Sequence, residues 1–113
     1  MAASEKIWDC WPVGHVYVTV TNELPENSPP LYLRCQSKNN DVGYQTVARN
    51  QEYKFNFCPN HRTLFFCHAW WNGKSLAFDV YRWKWCHMCD WRVHSDGIYQ
   101  VQDYTNFVKI YNW

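Results

Sequence analysis

The sequence predicts an all-β fold, an antiparallel β-sandwich of two sheets stapled by disulfides. Three observations predict it. Apolar and polar residues alternate in several short runs, Asn-Gly and Asp-Gly pairs separate some of these runs, and six cysteines occur among 113 residues. No segment repeats apolar residues at the spacing of a helix, so we expect strands without intervening helices.

The first strands are predicted from alternation with a period of two. Val16, Val18 and Val20 occupy every second position of their run, and residues 31–36 and 52–57 repeat this pattern. Successive side chains of a strand point to opposite faces, so each run has one apolar face for a core. The run 64–71 is apolar on both faces, which is typical of a central strand.

Two hairpins are predicted from their turn residues. The pairs Asn72-Gly73 and Asp96-Gly97 suit a two-residue hairpin turn, because both central residues of such a turn take a positive φ. The strands to be joined are 64–71 with 75–81, and 91–94 with 98–101.

A chain of this length forms one domain around one core. Clusters of polar residues, Gly and Pro mark loops between the predicted strands, at residues 24–30, 38–43 and 59–62. We predict an N-terminal segment 1–15 that carries Cys10, a sandwich domain 16–101, and a C-terminal tail 102–113 that packs on the sandwich.

Composition excludes several classes of partner. Apolar residues make up 47% of the chain and aromatic residues 19%, which is enough to form a core. The formal net charge is only +1, so we expect no binding to nucleic acid. No run approaches the roughly 20 apolar residues of a membrane helix, so we expect no membrane insertion. The chain is expected to be a monomer.

The cysteines predict an oxidising compartment, because disulfides persist in secreted proteins. We therefore expect an extracellular protein whose signal peptide has been removed, since the N-terminus lacks a basic segment followed by an apolar run. The pairing cannot be read from sequence. Our working hypothesis joins Cys35 with Cys89, Cys67 with Cys86 and Cys10 with Cys58, so that each bridge ties segments far apart in the chain.

Two chemical alternatives for the cysteines are disfavoured. A redox dithiol at Cys86-x-x-Cys89 would need a following helix, but Trp91-Arg92-Val93 has the composition of a strand. A structural zinc site would need two paired ligand clusters, and only one Cys-x-x-Cys pair is present. No Ser or Cys lies in a recognisable nucleophile motif. We expect no metal site, no cofactor and no enzymatic activity.

Tryptophans and one polar loop supply the candidate binding residues. Trp70, Trp71 and Trp91 lie in predicted strands and are expected in the core. The candidates for partner binding lie between predicted strands, where variation is tolerated and recognition is common: Trp83, Lys84, Trp85, Lys38, Asn39 and Asn40.

Several blocks of sequence carry a resemblance to a known family. The first block is Leu33-Arg34-Cys35-Gln36-Ser37-Lys38-Asn39-Asn40-Asp41-Val42-Gly43. It is followed in order by Tyr53-Lys54-Phe55-Asn56-Phe57, Thr63-Leu64-Phe65-Phe66-Cys67, Phe78-Asp79-Val80-Tyr81, and Cys86-His87-Met88-Cys89-Asp90-Trp91 leading to Asp96-Gly97-Ile98-Tyr99. In order and approximate spacing these blocks resemble the plant self-incompatibility S1 family, the S-protein homologues. The resemblance covers roughly residues 16 to 101. Arg34 stands where relatives often have His, and the stretch before the paired cysteines is short, only Arg82 to Trp85.

The resemblance implies a secreted plant protein with a two-sheet β-sandwich that acts as an extracellular signalling ligand. We expect its loops to be recognised by a protein receptor on a plant cell surface. Two alternatives remain open. One is a cell-wall carbohydrate-binding module that stacks sugars on Trp83 and Trp85, and the other is a defence protein that acts on membranes.

Overall fold

The computed structural model describes Cys10, residues 13–102 and residues 106–113. Within these ranges the chain forms nine strands and no helix, and so contains no helix that could cross a membrane. The strands are β1 (Val16–Asn22), β2 (Leu31–Gln36), β3 (Asp41–Val47), β4 (Glu52–Phe57), β5 (Leu64–Trp71), β6 (Lys74–Arg82), β7 (Met88–His94), β8 (Gly97–Val101) and β9 (Phe107–Tyr111).

The strands form two sheets, which confirms the predicted all-β fold. One sheet has five strands in the order β4-β1-β7-β8-β9, and the other has four in the order β3-β2-β5-β6. Neighbouring strands are antiparallel, as predicted, except that β1 and β7 pair in parallel. The whole four-stranded sheet lies between β1 and β7 in sequence, which is the long connection that a parallel pair requires.

All the strands predicted from alternation and turn residues are present, and β3 and β9 are additional. The predicted loop 38–43 is too long, because β3 already begins at Asp41. Both missed strands lie at sheet edges and are largely exposed, so burial imposes no regular alternation of apolar and polar residues on either sequence. Residues 102–113, which were expected as a tail, contribute β9 to the five-stranded sheet.

Both predicted hairpins form, with one difference in the turn. Asn72 and Gly73 take φ values of 50° and 75°, as a two-residue turn with positive φ at both positions requires. In the second hairpin His94 pairs with Gly97, so the turn residues are Ser95 and Asp96 rather than Asp96 and Gly97.

The core lies between the two sheets and is rich in aromatic rings. At one end Phe57 of β4 stacks on Phe65 of β5, with ring centroids 4.3 Å apart. At the other end Trp91 of β7 lies against Phe78 of β6, and its indole N–H donates to the Val80 carbonyl at 3.2 Å. These contacts join the two sheets face to face, so the sandwich has a single core.

One hydroxyl also joins the sheets. Tyr53 projects from β4, and its oxygen accepts a hydrogen bond from the Cys35 backbone N–H at 3.1 Å. The same hydroxyl donates to the Gly43 carbonyl. Burial raises the pKa of Tyr53, so the phenol stays protonated at neutral pH and can serve both partners.

Two of the three expected disulfide pairs were wrong. Cys10 is joined to Cys58, the pairing expected from sequence, but Cys35 is joined to Cys67 rather than Cys89, and Cys86 to Cys89 rather than Cys67. Cys35 and Cys67 face each other on neighbouring strands with Cα atoms 4.0 Å apart. Cys89 lies in the other sheet, close to Cys86 just before it in the chain. The expectation that every bridge ties distant segments was therefore wrong.

The tryptophans of the predicted strands divide between core and surface. Trp71 and Trp91 are 7% and 1% exposed, which confirms their placement in the core. The prediction for Trp70 was wrong, because it is half-buried on the outer face of the four-stranded sheet. Although β5 is apolar on both faces, only one face is covered by the other sheet, and Trp70 packs against aromatic neighbours on the open face.

Candidate interaction surface at the loop end of the sandwich

Three loops meet at one end of the molecule, and two of them contain the predicted binding residues. Strand β2 ends at Gln36, opposite Phe66 near the start of β5, and the first residue of β5, Leu64, pairs with Arg82 at the end of β6. The loops 37–40, 58–63 and 83–87 therefore extend from the same end of the strands in the four-stranded sheet. We call this region the loop end.

A cleft of about 400 Å³ separates the first two loops. The predicted residues Lys38, Asn39 and Asn40 form one wall, and Asn60 and Arg62 form the facing wall. Sequence analysis assigned residues 59–62 only as a loop and did not place them in a site. The strand pairing of β2 with β5 brings these walls together, and that pairing is not visible in the sequence.

Both walls are held by their own polar groups. In the first loop the Ser37 N–H donates to the Asn40 carbonyl at 2.7 Å, and the Asn40 N–H donates to the Ser37 hydroxyl at 3.2 Å. In the second loop the Asn60 N–H donates to Thr63 Oγ1 at 2.9 Å, and the Arg62 N–H donates to Asn60 Oδ1 at 2.8 Å. These local bonds order the backbone and leave the Lys38 and Arg62 side chains pointing to solvent.

The third loop begins with a strained turn. The Trp85 N–H donates to the Arg82 carbonyl at 3.0 Å, and Lys84 takes a φ of 72°. A non-glycine residue in this region costs about 1–2 kcal/mol, so the surroundings must hold it in place. The Tyr81 hydroxyl does so by accepting from the Lys84 N–H at 3.2 Å. Such strain is frequent where a backbone is shaped for recognition.

The predicted residues of this loop differ in accessibility. Trp85 is 42% exposed and lies beneath the Arg82 guanidinium, 5.5 Å from the ring centroid. Trp83 is half-buried and Lys84 is exposed. Trp83, Lys84 and Trp85 share the loop end with Lys38, Asn39 and Asn40 but do not line the cleft. The two groups of predicted residues are thus neighbouring parts of one end rather than a single pocket.

The loop end is basic although the whole chain is nearly neutral. Its three loops contain Lys38, Arg62 and Lys84 and no Asp or Glu. Within the described part of the chain, none of these three cations forms an ion pair. By contrast, Arg34 beside the cleft is neutralised by Asp41, and the hydrogen bond from Arg34 lowers the pKa of that carboxyl. Among the residues that the structure describes, these three cations have no acidic partner, which favours their interaction with an acidic surface.

Exposed apolar side chains accompany these cations. Met88 is 75% exposed, and its neighbour on the adjacent strand, Tyr17, is 43% exposed. Leu64 and Val13 at the same end are 39% and 37% exposed. Aromatic residues, Met and Arg are enriched in protein interfaces, where apolar anchors lie at the centre and charged side chains at the rim.

Sequence analysis missed His15, which lies beside a disulfide at the loop end. Its Nδ1 is 3.1 Å from Cys10 Sγ, and its Nε2 is 2.8 Å from Asn56 Oδ1. One nitrogen of His15 and the sulfurs of Cys10 and Cys58 all lie within 4.8 Å of one another. The sulfurs are bonded to each other, so in the oxidised protein they are not thiolate ligands for a metal. Asn56 is far from Cys10 and His15 in sequence, and no sequence motif indicates that these three residues lie together.

A second exposed surface lies on the outer face of the four-stranded sheet. Tyr44 is 60% exposed, with ring centroids 5.9 Å from Tyr32 and 5.6 Å from Trp70. His68 stacks on Trp70 at 4.2 Å. We call these four rings the aromatic face.

The chain is similar to known proteins over most of its length. The chain is similar to the family model of plant self-incompatibility protein S1 over residues 17–113. Among curated proteins of Arabidopsis thaliana it is 40% identical to S-protein homolog 5 over 86 residues, which is 71% of this chain and 66% of that protein. It is 34% identical to S-protein homolog 18 over 98 residues, or 80% of this chain and 72% of that protein.

The similarity does not extend over the full length of every relative. S-protein homolog 4 of Arabidopsis thaliana is 39% identical over 74 residues, which is 63% of this chain but 48% of that protein. This chain thus spans less than two thirds of homologs 5 and 4. No solved structure gives a significant match.

Proposed function

We propose that this chain, which belongs to the plant self-incompatibility protein S1 family, is a secreted signalling ligand whose loop end binds a protein receptor on a plant cell surface. The observation that carries the proposal is the composition of the loop end. Exposed Trp85 and Met88 share the loop end with three cations that have no ion-pair partner in the described part of the chain, and the three loops contain no acidic residue.

The partner surface that fits this end is acidic and has an apolar pocket. An exposed tryptophan can fill such a pocket and supply much of the binding energy, while surrounding cations steer the approach and select an acidic partner. The loops are ordered by their own hydrogen bonds, so little conformational entropy is lost when they bind. The protein then acts through recognition rather than catalysis, and needs no cofactor.

Three disulfides support an extracellular location. Every cysteine is paired, and paired cysteines persist in oxidising compartments. Two of the bridges, Cys10–Cys58 and Cys86–Cys89, have members in or beside the loops of the loop end. These two bridges restrict the loops to one arrangement. In the cytosol they would be reduced, so they are consistent with an extracellular protein.

Charge reversal tests the proposal with a matched control. Labelled protein carrying Lys38→Glu and Arg62→Glu is applied to intact plant cells, and its binding is compared with that of the original protein. The control carries Lys74→Glu and Arg49→Glu, which make the same change in net charge at the opposite end of the sandwich. We expect the loop-end variant to bind at least tenfold more weakly, about 1.4 kcal/mol, and the control to bind within about twofold.

Two further readouts complete this experiment. Raising the ionic strength should weaken binding of the original protein more than that of the loop-end variant, because exposed charges are screened by salt. Circular dichroism and non-reducing peptide mapping should give the same result for all three proteins. Equal binding of the loop-end variant and the original protein would contradict the proposed surface.

The aromatic face favours a second candidate function, binding of a cell-wall polysaccharide. Flat aromatic rings that are open to solvent can stack on the apolar face of a sugar ring. The face contains Tyr44 and Trp70, so it offers a wider platform than Trp83 and Trp85, of which only Trp85 is well exposed. Retention on insoluble cell-wall polysaccharide that is lost in Trp70→Ala but kept in Trp85→Ala would support this function. Absence of retention would remove it.

A further inference from the structure

We propose that the Cys10–Cys58 disulfide is a site of thiol–disulfide exchange, at which a low-molecular-weight thiol attaches to Cys58 while His15 stabilises the thiolate released on Cys10. This chemistry does not depend on whether the loop end binds a receptor. It would make one of the three bridges open under mildly reducing conditions while the other two, one within the four-stranded sheet and one at the start of β7, stay closed.

The position of His15 determines which nitrogen faces the sulfur. Asn56 Oδ1 can only accept a hydrogen bond, so His15 Nε2, at 2.8 Å, carries the proton. Nδ1 of the neutral ring then presents its lone pair to Cys10 Sγ at 3.1 Å. The ring is further held by stacking on Tyr17, with centroids 5.0 Å apart. A histidine oriented by an amide beside a cysteine is the arrangement that generates a reactive thiolate in cysteine enzymes.

The two sulfurs of the bridge differ in access. Cys10 is 2% exposed, whereas Cys58 is exposed and lines the cleft of the loop end. A thiolate attacks the sulfur that it can reach, and the other sulfur leaves. Cys58 is thus the residue that an external thiol can reach. Cys10 is the residue whose sulfur lies 3.1 Å from His15 Nδ1, so His15 can neutralise the negative charge released there.

Exchange begins at Cys58 Sγ. An external thiol loses its proton and its sulfur forms a bond to Cys58 Sγ, while the electron pair of the Cys10–Cys58 bond moves to Cys10 Sγ. The external sulfur is oxidised and the Cys10 sulfur is reduced to a thiolate. The proton from the external thiol is taken up through solvent at His15 Nδ1, which gives an imidazolium beside the thiolate. A second external thiol can then attack the mixed disulfide, release Cys58 and leave as its own disulfide.

The other two bridges lack this combination. Cys35 and Cys67 are both 0% exposed, so an external thiol has no path to either sulfur without opening the core. Cys86 is half-buried and Cys89 is 2% exposed. In the described part of the chain, no histidine nitrogen lies within hydrogen-bond distance of any of these four sulfurs. Exchange should therefore be selective for Cys10–Cys58.

Glutathione provides the test on the intact oxidised protein. The protein is incubated with reduced glutathione and a chelator for increasing times, free thiols are alkylated at acidic pH, and peptides are mapped by mass spectrometry. We expect glutathione on Cys58 and alkylation on Cys10 before any thiol appears from the other bridges. Glutathione mainly on Cys10, or earlier opening of Cys86–Cys89 or Cys35–Cys67, would overturn the proposal.

A matched pair of variants tests the role of the imidazole. In His15→Gln, exchange should be at least tenfold slower, because the leaving thiolate loses its cationic partner. In His61→Gln, an exposed histidine of the same end that contacts neither sulfur, exchange should stay within about twofold of the original rate. An unchanged rate in a folded His15→Gln variant would contradict the role of His15. If that variant does not fold, the position of glutathione on the unmodified protein decides the proposal.

Discussion

Replacement of Tyr53 by phenylalanine removes one oxygen from the boundary between the two sheets. That oxygen is bonded to the Cys35 N–H at 3.1 Å and to the Gly43 carbonyl, both in the opposite sheet. Phenylalanine keeps the ring and its contact with Phe55, whose centroid is 6.2 Å away. The change therefore isolates the contribution of the hydrogen bonds from that of aromatic packing.

The size of the effect follows from the burial of the two partners. Cys35 is 0% exposed, so its N–H cannot find water once the Tyr53 hydroxyl is gone. A buried donor left without a partner costs about 1–3 kcal/mol, whereas the half-buried Gly43 carbonyl can be solvated and adds little. Because a domain of this size is stable by about 5–15 kcal/mol, the loss should be large. It corresponds to a fall in melting temperature on the order of 4–12 °C.

Urea denaturation measures this loss, with Tyr44→Phe as the control. The Tyr44 side chain is 60% exposed on the aromatic face, so removing its hydroxyl should change stability by less than about 0.5 kcal/mol. For Tyr53→Phe we expect a lower denaturation midpoint with an unchanged slope, since the same surface is exposed on unfolding. A change as small as that of Tyr44→Phe would refute the bridging role of the Tyr53 hydroxyl.

Two other predictions concern the five-stranded sheet and acid stability. In Gly97→Ala the new Cβ would lie 2.2 Å from a backbone carbonyl oxygen of β9, so β9 must move. We expect destabilisation by about 1–3 kcal/mol and faster amide hydrogen exchange in β9. Unchanged amide exchange in β9 would contradict this contact. Burial alone would raise the pKa of Glu23, but hydrogen bonds from His94 and Arg92 outweigh it and lower the pKa below its ordinary value of 4.5. The resulting stabilisation is present above that value and is lost as pH falls through the lower pKa of the folded state. Glu23→Gln should therefore reduce the fall in melting temperature between about pH 5 and pH 3, whereas Glu26→Gln should leave that fall unchanged; an unaltered acid profile in Glu23→Gln would disprove the effect.

The strands that carry the core were predictable because they show their burial in sequence. In β1 every second residue is apolar and faces the core, and the Asn72-Gly73 pair has the backbone conformation that its turn demands. Such signals are local, so one sequence contains them. The edge strand β9 lacks them, because only Tyr111 at its end packs against the core and its other four residues are exposed, so no alternation is imposed.

The candidate site was predictable only in its separate parts. Lys38, Asn39 and Asn40 were recognised as a polar loop, and Trp85 as an aromatic residue outside a strand, but nothing local indicated that Arg62 lies across a cleft from Lys38. That proximity depends on which strands are neighbours. Strand order is not visible in the sequence. This explains why two disulfide pairs were predicted wrongly and why the contact of His15 with Cys10 was missed.

Site-specific crosslinking tests the loop end as the recognition surface most directly. A photo-crosslinking phenylalanine analogue replaces Trp85 in one variant and Ser75, an exposed residue at the opposite end of the sandwich, in a second. Each is bound to intact plant cells and irradiated, with and without excess unlabelled protein. We expect capture of one cell-surface protein through position 85, abolished by the competitor, and none through position 75. Capture through position 75 alone, or equal capture through both, would contradict the loop end as the recognition surface.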